Sequence, residues 1–322
     1  FIIGGDVNEI GSGAVWDDGE WFVIEADESD RTFLALGAET ALVTNVEPDH
    51  LETYAGDPAR LVAAFGDFAA GARTRVVCRD DEGAAALAAG LPSVTYGTHP
   101  EADYRMVDLD HHRAAIAFTL VHDGTELGRI TLPTPGLHNA RNAAGATVTA
   151  LLLGAPFDAA QRALGRFGGV ARRFEFRGEA EGITFVDDYA HLPTEVEAAV
   201  AAAADGGWGR LVGVFQPHRY SRTAALWRDF ADAFAGLDEL VVTDVYSAGE
   251  TPRPGVTGKL IVDAVLEAHP WARVAYLPRL DDAASWLTAR LRPGDLCLTL
   301  GAGDLTSIPD VVLERVRDRA AA

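Results

Sequence analysis

The feature that most limits the fold is an alternation that runs from residue 183 to the carboxy end. Short apolar runs of strand length, ITFVDD (183–188), RLVGVFQP (210–217), ELVVTDVY (239–246), ARVAYL (272–277) and DLCLTLG (295–301), are separated by segments of helix length. Those helices are expected from Thr194 onward and over 224–235, 257–268 and 281–291, with a last one at 309–320. Five strands with a helix between each pair predict an open, mostly parallel sheet. In such sheets ligands collect beyond the carboxyl ends of the strands, so the residues that follow each run are the first place to look for chemistry.

Four of these exits are polar, one of them Ser247-Ala248-Gly249-Glu250 after ELVVTDVY. ITFVDDYAH delivers Asp187, Asp188, Tyr189 and His191; FQPHRYSRT delivers His218, Arg219 and Arg222; GAGD (301–304) is glycine-rich and precedes a helix. The second makes an anion-binding edge, because arginine forks match carboxylate and phosphate oxygens. The third is a weaker signal, since glycine-rich turns are common. Just upstream, Arg172 and Arg173 either contact phosphate or ribose oxygens or form surface ion pairs. The stretch 170–195 reads as the seam between two domains, 1–172 and 173–322, and ligand clefts are common where domains meet.

The front part has a different texture. WFVIEA (21–26) reads as a buried strand and leads into four carboxylates, Glu25, Asp27, Glu28 and Asp30. TALVTNV (40–46) reads as another strand, followed by Glu47, Asp49 and His50. Each acidic exit alone is either a cation site or a solvated turn. Together they point to Glu25 and His50 as ligands of Mg²⁺ or Mn²⁺, since oxygen donors with one imidazole suit a hard cation completed by water and substrate phosphates. A helix over 58–70, a strand at 75–80, a helix at 81–89 and a strand at 93–97 precede a β-meander across 102–132, with Asp123-Gly124 as a hairpin turn. Pro133 and Pro135 then break the chain before GLHNARN opens an alanine-rich helix to Leu153. Asn139 is expected to cap that helix. Asn142, one turn on, has no capping role and carries both a donor and an acceptor, as pairing with a nucleobase requires.

Charge narrows the partners. Acidic residues outnumber basic ones 48 to 27, a formal net charge of −21, which excludes a general nucleic-acid or anionic-membrane binder. A phosphate-bearing ligand must therefore be held by local arginines, backbone amides or a metal. No apolar run approaches the ~20 residues of a membrane span, and no signal-peptide pattern is present. The two cysteines, Cys78 and Cys297, lie in apolar runs and read as buried thiols suited to a reducing cytoplasm.

These motifs together resemble the Mur ligase family, ATP-dependent enzymes that add amino acids to UDP-N-acetylmuramic acid. The resemblance is carried by GEWFVIEADESDRTFL, VTNVEPDHLETY, GLHNARNAAGA, RRFEFRG, VDDYAHLPTE, FQPHRYSRT, DVYSAGE and GAGD, which span nearly the whole chain in the family's order. FQPHRYSRT and DVYSAGE favour the branch that adds L-alanine over the one that recycles murein peptide. The resemblance implies an α/β chain of two domains: a partial central ATPase domain with a mixed or parallel sheet, and a Rossmann-like carboxy-terminal domain. It implies Glu25 and His50 as Mg²⁺ ligands, Asn142 for adenine with His138 and Asn139 nearby, and Arg173 and Asp188 for ribose and phosphates. It assigns Tyr189, His191, His218, Arg219 and Arg222 to the muramoyl-alanine end, with Asp188, His191 and Arg173 in the chemistry. The implied reaction consumes ATP, UDP-N-acetylmuramate and L-alanine through an acyl phosphate.

The departures shape what is expected of this chain. No G-x-x-G-K-[ST] loop is present; the sole lysine, Lys259, lies in GVTGKL, where Leu260 stands in place of the Ser or Thr and which does not fit the Walker spacing. The family's UDP-gripping domain is not among these residues, and the sequence opens on Phe1-Ile2-Ile3 with Met106 as its one methionine. The expectation is a fragment that does not turn over by itself, with a non-catalytic binding remnant as the rival. Leu192 stands where a second histidine is usual, and no lysine precedes Lys259 to be carbamylated near the metal.

Overall fold

In the computed structural model, which describes residues 1–321 with side chains through Arg319, the chain forms two compact units, Phe1–Gly168 and Gly169–Ala322.

The first unit opens with a hairpin of β1 (Ile2–Val7) and β2 (Ser12–Ala14). Its body is a six-stranded sheet built from β3 (Thr40–Val43), β4 (Thr74–Cys78), β5 (Val94–Gly97), β6 (Tyr104–His112), β7 (Ala115–His122) and β8 (Thr125–Leu132), in that spatial order. Pairing is parallel from β3 through β6 and antiparallel from β6 through β8. Helices α1 (Pro58–Gly71) and α2 (Glu82–Gly90) join the first three strands, and α3 (Leu137–Leu152) and α4 (Phe157–Leu164) follow the meander. Strand periodicity decides which face each helix covers. In β4, Val76 and Cys78 point into the cluster that holds Ala140, Ala143, Ala144 and Val148 of α3. Val77, one position off, packs with Ala84 and Leu87 of α2. Small residues let α3 lie close to the sheet: a Cβ on Gly145 would stand 2.6 Å from the Tyr96 ring. The β7–β8 turn at Asp123 and Gly124 has φ of 49° and 73°, the left-handed pair a tight hairpin needs.

The second unit contains β9 (Glu175–Ala180), β10 (Ile183–Asp188), α5 (Pro193–Ala204), β11 (Arg210–Phe215), α6 (Tyr220–Leu226) and β12 (Glu239–Val242). It continues with α7 (Lys259–Ala268), β13 (Val274–Tyr276), α8 (Leu280–Arg290), β14 (Asp295–Leu300) and α9 (Ile308–Ala321). Spatial order is β13-β12-β11-β14-β10-β9, parallel throughout except for the antiparallel edge strand β9. The core splits in two, as a doubly wound sheet requires. Residues of α5 and α7 pack with Leu296, Leu298 and Leu300 on one face, and residues of α8 and α9 pack with Cys297 on the other. Strand β14 lies between β10 and β11 but is followed by a helix on the opposite face. The carboxyl ends of these three strands therefore flank a topological switch point.

Several expectations need correction. The run 21–26 is not a buried strand: Trp21, Phe22, Val23 and Ile24 are exposed, and the segment's one bridge joins Ile24 to Ile2. An apolar run becomes a central strand only when neighbours pair with both edges, and here backbone bonds reach β1 alone. Strand β3 ends at Val43, three residues early. The helix expected at 224–235 is instead α6, starting at Tyr220, followed by a series of turns. Asn139 does not cap α3; Gly136 does, with φ of 100°, and Asn139 lies inside the first turn donating to Pro135 O at 2.7 Å. The edge strand β9 went unpredicted because EFRGEA alternates too weakly to stand out. Among the described residues no helix is long and apolar enough to cross a membrane.

Candidate active-site residues at the strand exits

In the first unit the acids after residue 24 and the turn after β3 fold onto one another. Tyr54 donates its hydroxyl to Glu28 O at 2.7 Å and Thr53 donates to Ser29 O at 2.6 Å. His50 adopts φ of 50° and sets Nε2 3.3 Å from Asp49 Oδ2 and Nδ1 3.9 Å from Glu52 Oε1. Glu28 is the carboxylate whose ionisation His50 assists. Burial raises its pKa, Asp27 and Asp49 add to the rise, and His50 with a backbone hydrogen bond opposes it. Glu25 is exposed and takes the Gly4 amide instead. Among the described residues no three of His, Cys, Asp and Glu converge as a metal cluster. The carboxylates beside His50 are those of Asp49 and Glu52, oxygen donors of the kind a hard cation takes.

The exit of β4 holds a residue that sequence reasoning passed over. Asp80, side chain 4% exposed, accepts from Thr98 N (2.9 Å), Thr98 Oγ1 (2.9 Å), His99 N (2.8 Å) and Arg141 Nε (2.8 Å). These donors hold its pKa below the usual carboxylate range even though burial works the other way. The carboxylate thus ties the ends of β4 and β5 to the first turns of α3. On that helix His138 and Asn139 are half-buried, while Asn142 is exposed and its side-chain amide bonds to no described residue. An acid directly after an apolar run was the available signal, the one already used at residue 25.

The second unit gathers more at its switch point. Asp188 is buried and accepts from Phe174 N and Ala190 N, both at 2.8 Å. Burial pushes its pKa up to about 6, against the pull of those amides and of Arg173. Asp187, 1% exposed, accepts from Thr299 Oγ1 (2.5 Å) and Thr306 Oγ1 (2.7 Å), with Arg172 Nε at 3.4 Å and Arg177 Nη1 at 3.8 Å. Arg172 also donates to Gly301 O at 2.7 Å and Gly303 O at 3.3 Å, fixing the glycine-rich turn after β14. Tyr189 stacks under both guanidinium groups, 4.8 Å from Arg172 and 5.3 Å from Arg173. Glu195 takes the amides of His191 (2.9 Å) and Leu192 (3.1 Å), closing the start of α5, where the Leu192 side chain has no acceptor to offer.

From β11, His218 comes up beside His191, ring centroids 5.7 Å apart, and Arg222 Nη1 lies 3.2 Å from His218 Nδ1. Burial pushes the His218 pKa down to about 4, helped by the neighbouring His191, Arg222 and Arg219, so its imidazole is neutral at pH 7. Gln216 donates to Asp304 Oδ1 and accepts from Leu305 N, which binds this exit to the turn after β14. Asp188, Tyr189 and His191 from one strand thus meet His218, Arg219 and Arg222 from another at a single end of the sheet. Several guanidiniums at one edge can bind an anion, and Asp188, with its pKa raised to about 6, is a group there that holds a proton close to neutral pH.

The chain matches two known domain families along its length. Residues 8–150 match the Mur ligase middle domain and residues 172–303 match the Mur ligase, glutamate ligase domain. The UDP-N-acetylmuramate–L-alanine ligase of Acidothermus cellulolyticus is 46% identical over 331 aligned positions, covering 99% of this chain and 68% of that protein. The chain belongs to the Mur ligase family. A Mur ligase of the same name from Saccharopolyspora erythraea is 45% identical, over 100% of this chain and 67% of its own length. Among solved structures, the UDP-N-acetylmuramate–alanine ligase of Thermotoga maritima superposes with a TM-score of 0.80 at 26% identity, over 99% of this chain and 69% of that one. MurF of Acinetobacter baumannii, at 18% identity, a TM-score of 0.70, and coverage of 89% of this chain and 62% of its own, shares the fold.

Proposed function

We propose that this Mur ligase chain serves an ATP-dependent ligase that joins L-alanine to UDP-N-acetylmuramate, a step in building peptidoglycan precursors in the cytoplasm. Residues 1–172 are its nucleotide-facing part and 173–322 its Rossmann-like part. The observation that carries the reading is the meeting of Asp188, Tyr189 and His191 with His218, Arg219 and Arg222 at one sheet end, in a chain 40–46% identical to relatives that bear this name.

In this reading a carboxylate oxygen of UDP-N-acetylmuramate attacks the γ-phosphorus of ATP, and the bond to the β–γ bridging oxygen breaks to release ADP. The L-alanine nitrogen then adds to the acyl carbon of the acyl phosphate. Collapse of the tetrahedral intermediate expels inorganic phosphate, and the nitrogen gives up a proton. Negative charge builds on phosphoryl and acyl oxygens, where preorganised donors count most. Arg219 and Arg222 supply such donors, and Tyr189, His191 and neutral His218 line the acceptor. Arg173 and Asp188 hold ribose and phosphates, and Asn142 reads adenine with His138 and Asn139 beside it. Glu25 and His50 would hold a Mg²⁺ or Mn²⁺ ion, which would supply positive charge toward the phosphates.

The test is phosphate release by the complete gene product with ATP, UDP-N-acetylmuramate and either L-alanine or murein tripeptide. L-Alanine is the expected acceptor, and preference for tripeptide would overturn the assignment in favour of peptide recycling. Asn142→Ala should raise the KM for ATP about tenfold or more; an unchanged value removes that residue's role. The 322-residue chain alone, which contains no G-x-x-G-K-[ST] loop, is expected not to turn over.

A further inference from the structure

The segment after β12, which carries Tyr246 and Glu250, is fastened at both ends to the turn after β11. Tyr246 N donates to Pro217 O at 2.8 Å, and Tyr246 O accepts from Arg219 N at 2.9 Å. The two backbones form a bridge at His218 and Tyr246, and the two rings stack at 5.7 Å with 13° between their planes. At the far end the Glu250 carboxylate accepts from Ser221 N at 2.8 Å and from the Ser221 hydroxyl. Burial raises the Glu250 pKa, but the Ser221 bonds together with Arg253 and Arg219 outweigh it and hold the group below the usual range.

The turn needs fastening. Arg219 has φ of 65° and Ala248, in the opposing segment, φ of 46°. Left-handed backbone is unfavourable for a residue with a Cβ, and it persists where surrounding contacts over-determine it. Here the over-determination comes from one residue at each end of the turn that holds His218, Arg219 and Arg222.

We propose that Tyr246 and Glu250 are positioning residues that hold the His218–Arg222 turn in the form that binds the carboxylate or acyl-phosphate end of the substrate. This rests on the reading above of that turn as the substrate site. Neither residue donates to the substrate. Tyr246 sets the plane and height of the His218 ring, and Glu250 sets the start of α6, from which Arg222 projects. Loss of either lets the guanidiniums sample orientations that no longer converge, which weakens binding of the anion without touching the nucleotide.

The experiment compares Tyr246→Leu, Tyr246→Phe and Glu250→Gln in the complete gene product, measuring KM for each of the three substrates, kcat and the melting temperature. Tyr246→Leu and Glu250→Gln should raise the KM for UDP-N-acetylmuramate or L-alanine by about 5- to 50-fold while the KM for ATP stays within about twofold. Tyr246→Phe, which keeps the stacked ring, should restore the parent value. The His218 imidazole gives a readout independent of turnover: followed by NMR, its titration should move from about 4 toward the ordinary histidine range in Tyr246→Leu. Equal losses for all three substrates, or an unmoved His218 titration, would overturn the proposal. Arg222→Ala separates the two levels. If it leaves the KM values unchanged, the reading of the turn as the substrate site fails. If it raises them while Glu250→Gln and Tyr246→Leu do not, only the positioning role fails.

Discussion

Two of the acidic stretches that follow apolar runs in this chain, 25–30 and 187–188, fold differently. The acids at 25–30 lie in a loop and satisfy themselves locally: Asp27 takes the Ser29 amide and Asp30 takes the amide and hydroxyl of Thr32. Asp187 and Asp188 are buried and receive donors from β14, from the turn that follows it, and from residues 172–174 and 177. In sequence both read as a strand ending in carboxylates. What separates them is the company of the strand. β10 is paired on both edges and covered on both faces, whereas 21–26 pairs with one strand and leaves residues 21–25 exposed. Carboxylates on a buried strand must recruit donors, since an unpaired buried charge is too costly to keep.

The sharpest way to break this comparison is to delete one acid from each stretch. Asp187→Ala strips Arg172 and Arg177 of their buried carboxylate and leaves Thr299 and Thr306 without an acceptor. It should cost about 3–5 kcal/mol of stability in urea unfolding. Asp27→Ala should stay within about 0.5 kcal/mol, as solvated positions do. Equal effects would mean that the two stretches are held alike.

A second test uses pH. Asp188 has a pKa raised from 3.8 to about 6, so the folded state takes up its proton first. Its ionised form therefore weighs against folding by about 3 kcal/mol at neutral pH, and that penalty is relieved as pH falls from 6 toward 4. His218 works in the opposite sense. Its pKa is pushed down to about 4, so the unfolded state binds the proton first, and stability is lost as pH falls from 6.5 toward 4. The two nearly cancel in the parent protein. His218→Asn should remove the acid loss and make the second unit hold or gain stability between pH 6.5 and 4.5, measured by melting temperature. A steep acid loss in that variant would show that Asp188 does not carry the opposing effect.

Legibility followed the same line. The alternation after residue 183 was readable because the apolar runs there, apart from the half-buried edge run 272–277, are buried, so composition and structure coincide. Asp188, His191, His218 and Arg222 were found from position alone, as polar residues at strand exits, and the fold brings them to one sheet end. The run 21–26 misled because apolarity reports the capacity for burial, and burial also needs partners. The Asn139 cap misled because Gly136 supplies a backbone that only glycine adopts readily, which leaves the asparagine inside the turn. The ties by which Tyr246, Glu250, Asp80 and Arg141 hold their neighbours were out of reach: each joins residues 18 to 61 positions apart or depends on ring stacking.

Asp80 offers an intermediate case between the two stretches, and with it an expected effect smaller than that of Asp187. Like the others it follows an apolar run; like Asp187 it is buried; unlike Asp187 it draws three of its four hydrogen bonds from one short segment, Thr98 and His99. Arg141→Ala removes the fourth donor and the only one on α3. Because the carboxylate keeps three hydrogen bonds, the cost should be about 1–2 kcal/mol, at the level of one charged hydrogen bond and well below that of Asp187→Ala. The bond also ties the α3 turn bearing His138 and Asn142 to the sheet, so the same variant should raise the KM for ATP more than that for L-alanine. A cost as large as that of Asp187→Ala would place Asp80 among the over-determined acids. A cost near zero would place it with the solvated ones, and would show that burial alone does not make a carboxylate depend on its arginine.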